Sequence, residues 1–237
     1  QRNPCESAFP MCGRFDRHRP VSDFLEVIDA PDLIDQSADS AAPSYNVAPS
    51  HEAAVVCATD TGLRLRPLTW GFVPAWAKDS KMPKPINARA ETLCQKPMFR
   101  NAFRASRCLV LCDGYFEWRR QADGSKQPFY ITLEDGAPFV MTGLWARNTT
   151  LTAQPIESFC VITTEASEFC RDIHPRMPVI LDRTYHQAWL KASSLSLDAA
   201  TAMLRPSSRR LRLSPVSRFV NSPANDSPQC ISPISQV

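Results

Sequence analysis

The residue with the most distinctive chemistry is Cys12, which lies between Met11 and Gly13. If the chain before it is removed, Cys12 carries an α-amine beside a thiol. An α-amine has a reference pKa of about 7.7 to 8, so roughly a tenth is neutral at pH 7, far more than of a lysine ammonium at about 10.4. It is therefore the better amine nucleophile toward a carbonyl. A 1,2-aminothiol also has a step that lysine lacks. Once the amine has formed an imine with an aldehyde, the sulfur adds to the same carbon and closes a thiazolidine that is stable without reduction. The alternative is that Cys12 is a small buried hydrophobe, since free cysteine is among the most buried residue types.

Glu117 stands out because it lies in an otherwise apolar, strand-like stretch, Tyr115 to Trp118. A period of two puts it on the Tyr115 face and sends Phe116 and Trp118 to the other. A carboxyl in that company is either paired, with an arginine such as Arg89, or moves protons with a pKa raised by burial. His174, between Ile173 and Pro175, sits in a stretch too irregular for a helix interior. It titrates near neutral pH and is either chemical or bonded to backbone in a tight loop. Arg100, Arg104 and Arg107 follow helical spacing and would form a cationic stripe suited to phosphates, or a solvated helix face. Trp76, near Pro74, is expected in a loop, where it would stack on an unpaired base or pack into the core.

The elements that must position these groups are mostly strands. Ala54 to Ala58 and Leu63 to Leu68 flank a Thr-Asp-Thr-Gly turn, which predicts a hairpin with Arg64 and Arg66 on its wet face. Further strands are expected at 109–112, 115–118, 129–133, 139–144 and 158–163, with turns at 122–124 and 134–136. Val21, Phe24, Leu25 and Ile28 predict a short amphipathic helix ended by Pro31, followed by a loop over 35–44. Helical patterns recur at about 97–105, 184–191 and 198–204. Strands and helices mix without regular βαβ alternation, which gives an α+β, β-rich class in one domain. The Pro- and Ser-rich tail from Ser222 is expected to wrap the surface.

Composition excludes several classes. Charged residues are 22% and hydrophobic residues 43%, as in ordinary soluble globular proteins. No apolar run approaches the roughly 20 residues of a membrane span. A net charge of +3 does not by itself announce a nucleic-acid binder. Nine cysteines, an odd number with no secretory signal, fit a reducing cytoplasm better than a disulfide scaffold. With neither a CxxC pair nor zinc-finger histidine spacing, no metal and no cofactor are expected. Gln1 to Pro10 is polar and unpatterned, as expected of a non-native extension or propeptide, with Met11 as the start and 11–237 as the domain.

Several blocks together carry a family resemblance: Met11-Cys12-Gly13-Arg14-Phe15, Tyr45 to Ser50 (YNVAPS), Trp70 to Asp79 (WGFVPAWAKD), Ile86 to Thr92 (INARAET), Asp113 to Trp118 (DGYFEW), Ile173 to Leu181 (IHPRMPVIL) and Pro215 to Asp226 (PVSRFVNSPAND). In this order they resemble the SRAP family, the SOS response-associated peptidases or abasic-site processing proteins, over nearly the whole chain after residue 10. The resemblance implies the SRAP fold, a mixed sheet that is partly barrel-like with short flanking helices. It implies that Cys12 links to an abasic site in single-stranded DNA during the SOS response, with lyase and self-directed peptidase activities attached; the alternatives are a cysteine autopeptidase that makes no DNA crosslink and a noncatalytic single-stranded DNA binder in which Cys12 is structural. Catalytic roles then fall on Cys12, Asn87, Glu117 and His174. Glu117 would move protons during imine formation and ring closure, His174 would protonate the sugar ring oxygen, and Asn87 would orient the open sugar or the new ring nitrogen. Arg14, Asn46, Arg89, Arg218 and Asn221 are implied near the abasic nucleotide or its phosphates. The expected partner is abasic single-stranded DNA, bound by a monomer in the cytoplasm, at the nucleoid if the source is bacterial.

Overall fold

The run Arg107–Cys112 is buried along its whole length, and the reason is that both faces of its sheet are covered. The computed structural model describes residues 12–29, 33–34, 42–192 and 195–234. In chain order its elements are β1 (Arg14–Arg17), α1 (Val21–Val27), β2 (Leu33–Ile34), β3 (Ser44–Val47), β4 (Glu52–Thr59), β5 (Gly62–Trp70), β6 (Asn87–Arg89), α2 (Arg100–Ala105), β7 (Arg107–Cys112), β8 (Gly114–Arg120), β9 (Lys126–Leu133), β10 (Phe139–Asn148), β11 (Ile156–Glu165), β12 (Arg176–Pro178), α3 (His186–Leu190), α4 (Leu197–Ala202) and β13 (Leu211–Pro215).

A five-stranded sheet runs β13-β9-β8-β1-β3, and an eight-stranded sheet runs β12-β11-β10-β7-β4-β5-β2 with β6 on β11. The small sheet is antiparallel throughout. The large one is mixed: β11 also pairs in parallel with β5, at Ser158–Thr69 and Phe159–Trp70. That contact closes β5, β4, β7, β10 and β11 into a ring of strands. Alternation then sorts the core. Leu109 and Leu111 of β7 join Phe24, Phe103 and Trp189 of the helices, while Cys108, Val110 and Cys112 join Phe15, Tyr115 and Ile131 of the small sheet. The outer face of the small sheet packs Phe116 and Tyr130 against Val220 and Cys230 of the tail. The expected α+β class with short helices is what the chain adopts. Among the described residues, no helix is long and apolar enough to cross a membrane.

The predicted hairpin is β4 and β5, which pair to Thr59–Gly62. Leu63 and Leu65 are buried. Leu25, read as part of the apolar face of α1, is 40% exposed instead; the helix buries Val21 and Phe24, and Ile28 just past its end is buried with them, which leaves Leu25 at the edge of a narrow stripe. The stop at Pro31 and most of the 35–44 loop lie outside the described residues, as do Gln1 to Pro10 and Met11. Ser44, placed in that loop, opens β3.

The arginine stripe needs one correction. α2 ends at Ala105, so Arg107 begins β7 and points to the helix side of the sheet. It is 1% exposed, its guanidinium lies 5.2 Å from the Trp189 ring and 6.0 Å from that of Phe103, and it donates to Ala192 O at 2.8 Å. It is a packing residue out of reach of DNA. Arg107→Ala is expected to cost about 2–4 kcal/mol in urea unfolding through a cavity and a lost hydrogen bond. Arg104→Ala, on the exposed side of α2, should stay within about 0.5 kcal/mol. Equal midpoints for the two variants would contradict this placement.

Candidate active site

The site grows out of the β1–β8 pairing. Phe15 lies opposite Tyr115 and Arg14 opposite Phe116, so the chain just before β1 runs beside Glu117. There the Cys12 backbone nitrogen donates to Glu117 Oε1 at 2.7 Å. Both residues are buried, at 0% and 3% exposure. The period-two reading of β8 holds: Tyr115 enters the core between the sheets, and Phe116 packs on the opposite face with Trp118 beside it. Glu117 accepts from Cys12, and Arg89 is exposed on β6.

Two more groups converge from the large sheet. β6 runs parallel to β11 with Asn87 opposite Val161, and Asn87 Nδ2 donates to Cys12 O at 3.4 Å. His174 closes the turn after β11, its backbone nitrogen bonded to Cys170 O at 3.1 Å. Its Nδ1 lies 3.2 Å from both the nitrogen and the oxygen of Arg176. Backbone therefore engages Nδ1 in either tautomer and leaves Nε2 for a ligand. Gly13, Glu117 and His174 line a cavity of about 550 Å³ together with Arg14, Trp118 and Asn221.

Burial sets the protonation states. It pushes the Glu117 carboxyl up to about 8, although the Cys12 and Trp118 N–H groups and the charge of Lys126 pull the other way. The Cys12 thiol is driven well above its ordinary value, first by burial and then by the nearby Glu117 carboxylate. Burial lowers His174, leaving a neutral imidazole at pH 7. The arrangement thus holds a protonated thiol, a carboxyl able to give or take a proton near neutrality, and an imidazole at one wall. Cys12 also has φ 37°, a left-handed conformation that costs a non-glycine residue roughly 1–2 kcal/mol.

The other residues implied by the motifs are dispersed. Arg14 borders the cavity, its guanidinium fixed by Asn46 Oδ1 and Val220 O at 2.9 Å each and by Asn221 O at 3.0 Å. Asn46 is 0% exposed, and its Nδ2 serves the carbonyls of Val220, Ser222 and Asn225. Expected near the abasic nucleotide or its phosphates, it lies behind Arg14, where it anchors the tail and orients that guanidinium. Asn221 accepts from Trp118 Nε1 at 2.8 Å. Arg218 is exposed and donates to Ser125 Oγ at 3.0 Å. Trp76 is 45% exposed; Arg89, Arg100 and Arg104 are exposed and outside the cavity lining.

Two cavity residues went unread in the sequence, Arg120 and Lys126. Counting outward from the turn at 122–124 would have paired them, since they face each other across β8 and β9. Apart from the cavity, Asp16, His18 and Asp113 bring potential metal ligands within 4.8 Å. They contact one another and protein donors: His18 Nδ1 lies 2.9 Å from Asp16, Tyr130 donates to Asp16, and Arg19 Nε lies 3.2 Å from Asp113.

The raised Glu117 has a consequence for stability. Between its ordinary value of 4.5 and about 8, the folded chain holds this proton more tightly than the unfolded chain. Its contribution is therefore full below 4.5 and is lost as pH rises to about 8. The parent chain with residues 1–11 attached should lose stability relative to Glu117→Gln across that window, and the difference should flatten above it. Urea midpoints of both proteins from about pH 5 to about pH 9 check this; parallel curves would contradict it.

The sequence profile of the SOS response associated peptidase (SRAP) family matches residues 11–223. Abasic site processing protein YoaM of Bacillus subtilis is 37% identical over 223 residues, 93% of this chain and 97% of that protein. Abasic site processing protein YedK of Escherichia coli is 30% identical, over 94% of this chain and 100% of that one. Abasic site processing protein HMCES of Gallus gallus is 32% identical over 81% of this chain and 66% of its own length. The fold resembles a crystal structure of a protein from Bacteroides thetaiotaomicron with a TM-score of 0.80 and 24% identity, covering 94% of this chain and 100% of that one. With the profile and the relatives spanning nearly the whole chain, this protein belongs to the SOS response associated peptidase family.

Proposed function

We propose that this protein processes abasic sites by joining Cys12, freed of the chain before it, to the aldehyde of an abasic sugar in single-stranded DNA. The observation that carries the reading is the 2.7 Å contact between the Cys12 nitrogen and Glu117 Oε1, which sets a proton-handling carboxyl on the atom that must attack. The names of the relatives, abasic site processing proteins, supply the substrate class.

The sequence of steps follows from the groups present. His174, through Nε2, assists proton transfer at the sugar ring oxygen so that the closed hemiacetal opens to its aldehyde. The neutral Cys12 amine adds to C1′, and Glu117 takes the proton that the nitrogen sheds. The same carboxyl returns it to the departing hydroxyl, so that one water leaves and an imine forms. The Cys12 sulfur then adds to the imine carbon while its proton passes to the nitrogen, closing the thiazolidine. Asn87, bonded to Cys12 O, holds the nucleophile's own backbone in register. An imine that escapes ring closure is open to β-elimination, a lyase reaction. Trp76 stacks on an unpaired base, and Arg100 and Arg104 meet phosphates. All these groups come from one chain, so the reaction needs no second copy.

Self-processing fits the same site. The left-handed φ of Cys12 exists only while a carbonyl precedes its nitrogen, so cleavage after Met11 relieves that strain. Acyl transfer from the Cys12 nitrogen to its sulfur, followed by hydrolysis of the thioester, would release the amine that the crosslink requires.

Cys12→Ala is expected to give no denaturation-stable adduct with an abasic oligonucleotide, although its α-amine still forms an imine that borohydride traps. Denaturing electrophoresis with and without borohydride checks this. An undiminished stable adduct would assign the nucleophile to another residue.

A further inference from the structure

The Glu117 cavity contains a pair of cations that the proposed reaction does not use. β8 and β9 form a hairpin in which Arg120 and Lys126 occupy directly opposed positions, two pairs beyond Trp118 and Pro128. Both side chains line the same cavity as Glu117 and His174. Like charges directly opposite one another across a sheet are unfavourable, and an anion between them reverses the sign. Arg218 adds a further cation at the hairpin tip through Ser125 Oγ at 3.0 Å. The Arg14 guanidinium donates to Asn46, Val220 and Asn221; Arg120 is exposed and Lys126 half-buried.

The carboxyl in this cavity is Glu117, which is mostly neutral below about 8. With Arg14, Arg120 and Lys126 in the lining and Glu117 as its one acidic residue, the lining is net positive whether Glu117 is neutral or ionised. The charge of Lys126 lowers both Glu117 and His174, which places it within electrostatic range of both. An abasic sugar seated at Cys12 arrives with a phosphodiester on each side, and a planar guanidinium beside an ammonium suits one phosphate.

We infer that Arg120 and Lys126 form a clamp for a backbone phosphate directly flanking the abasic sugar, and so set the depth at which its C1′ meets Cys12. The inference rests on the abasic-site reading above.

The test uses a single-stranded oligonucleotide carrying a tetrahydrofuran abasic analogue, which has no aldehyde and binds reversibly. Arg120→Gln and Lys126→Gln are each expected to weaken binding about fourfold at 0.15 M salt and to lower the slope of log Kd against log salt by about 0.7. Lys126→Arg should keep the parent slope, which separates loss of charge from a disturbed hairpin. An uncharged methylphosphonate at one of the two flanking linkages should weaken the parent but have little further effect on Lys126→Gln. Unchanged slopes, or equal methylphosphonate losses in parent and variant at both linkages, would overturn the clamp. Adduct formation by the parent with an aldehyde-bearing strand is measured alongside. Its absence would remove the reading of the reaction itself, whereas an adduct with unchanged slopes would remove only the clamp.

Discussion

The short hydrogen bond from the Cys12 nitrogen to Glu117 is the constraint on which the rest of the site depends. A buried carboxyl is tolerated only when it is bonded or neutral; here it is bonded, and burial favours its neutral form up to about pH 8. The bond exists because β1 pairs with β8 in one register, Phe15 opposite Tyr115. A slip by one residue would turn Glu117 toward the Phe116 face and break it. Register is held from both sides: Phe15 and Tyr115 enter the core between the sheets, and Phe116 packs under the tail. The chemistry of the nitrogen is thus set by side-chain packing several residues away.

The long, strongly alternating or wholly apolar segments were legible in the sequence because their burial is local. β4, β5, β7, β8, β9, β10 and β11 all fall where the patterns put them. The short strands β1, β2, β3, β6, β12 and β13 were not, because two to five residues carry too little periodicity and depend on distant partners for pairing. These are also the elements that carry Arg14, Asn46 and Asn87. Composition alone would have left Asn87 unnoticed. The parity of β8, by contrast, placed Glu117 correctly from four residues.

The misplacement of Arg107 has the same origin. The helical spacing of Arg100, Arg104 and Arg107 runs past Ser106, where α2 has already ended, and the arginine expected to meet phosphates or solvent is the filling between Phe103 and Trp189. Long side chains with a charged end can serve either as packing or as contact, and only the tertiary position decides. The cavity shows the opposite case. Arg120 and Lys126 stand out neither by pattern nor by composition, yet the hairpin brings them together beside Glu117.

The chemistry turns on one covalent event at one residue, and the intact mass of the protein after incubation with an abasic single strand tests it most directly. The expected species is a chain that begins at Cys12 plus the oligonucleotide less one water, with the linkage mapped to Cys12 by peptide fragmentation. An adduct on a chain that keeps residues 1–11, or one mapped to a lysine, would contradict it.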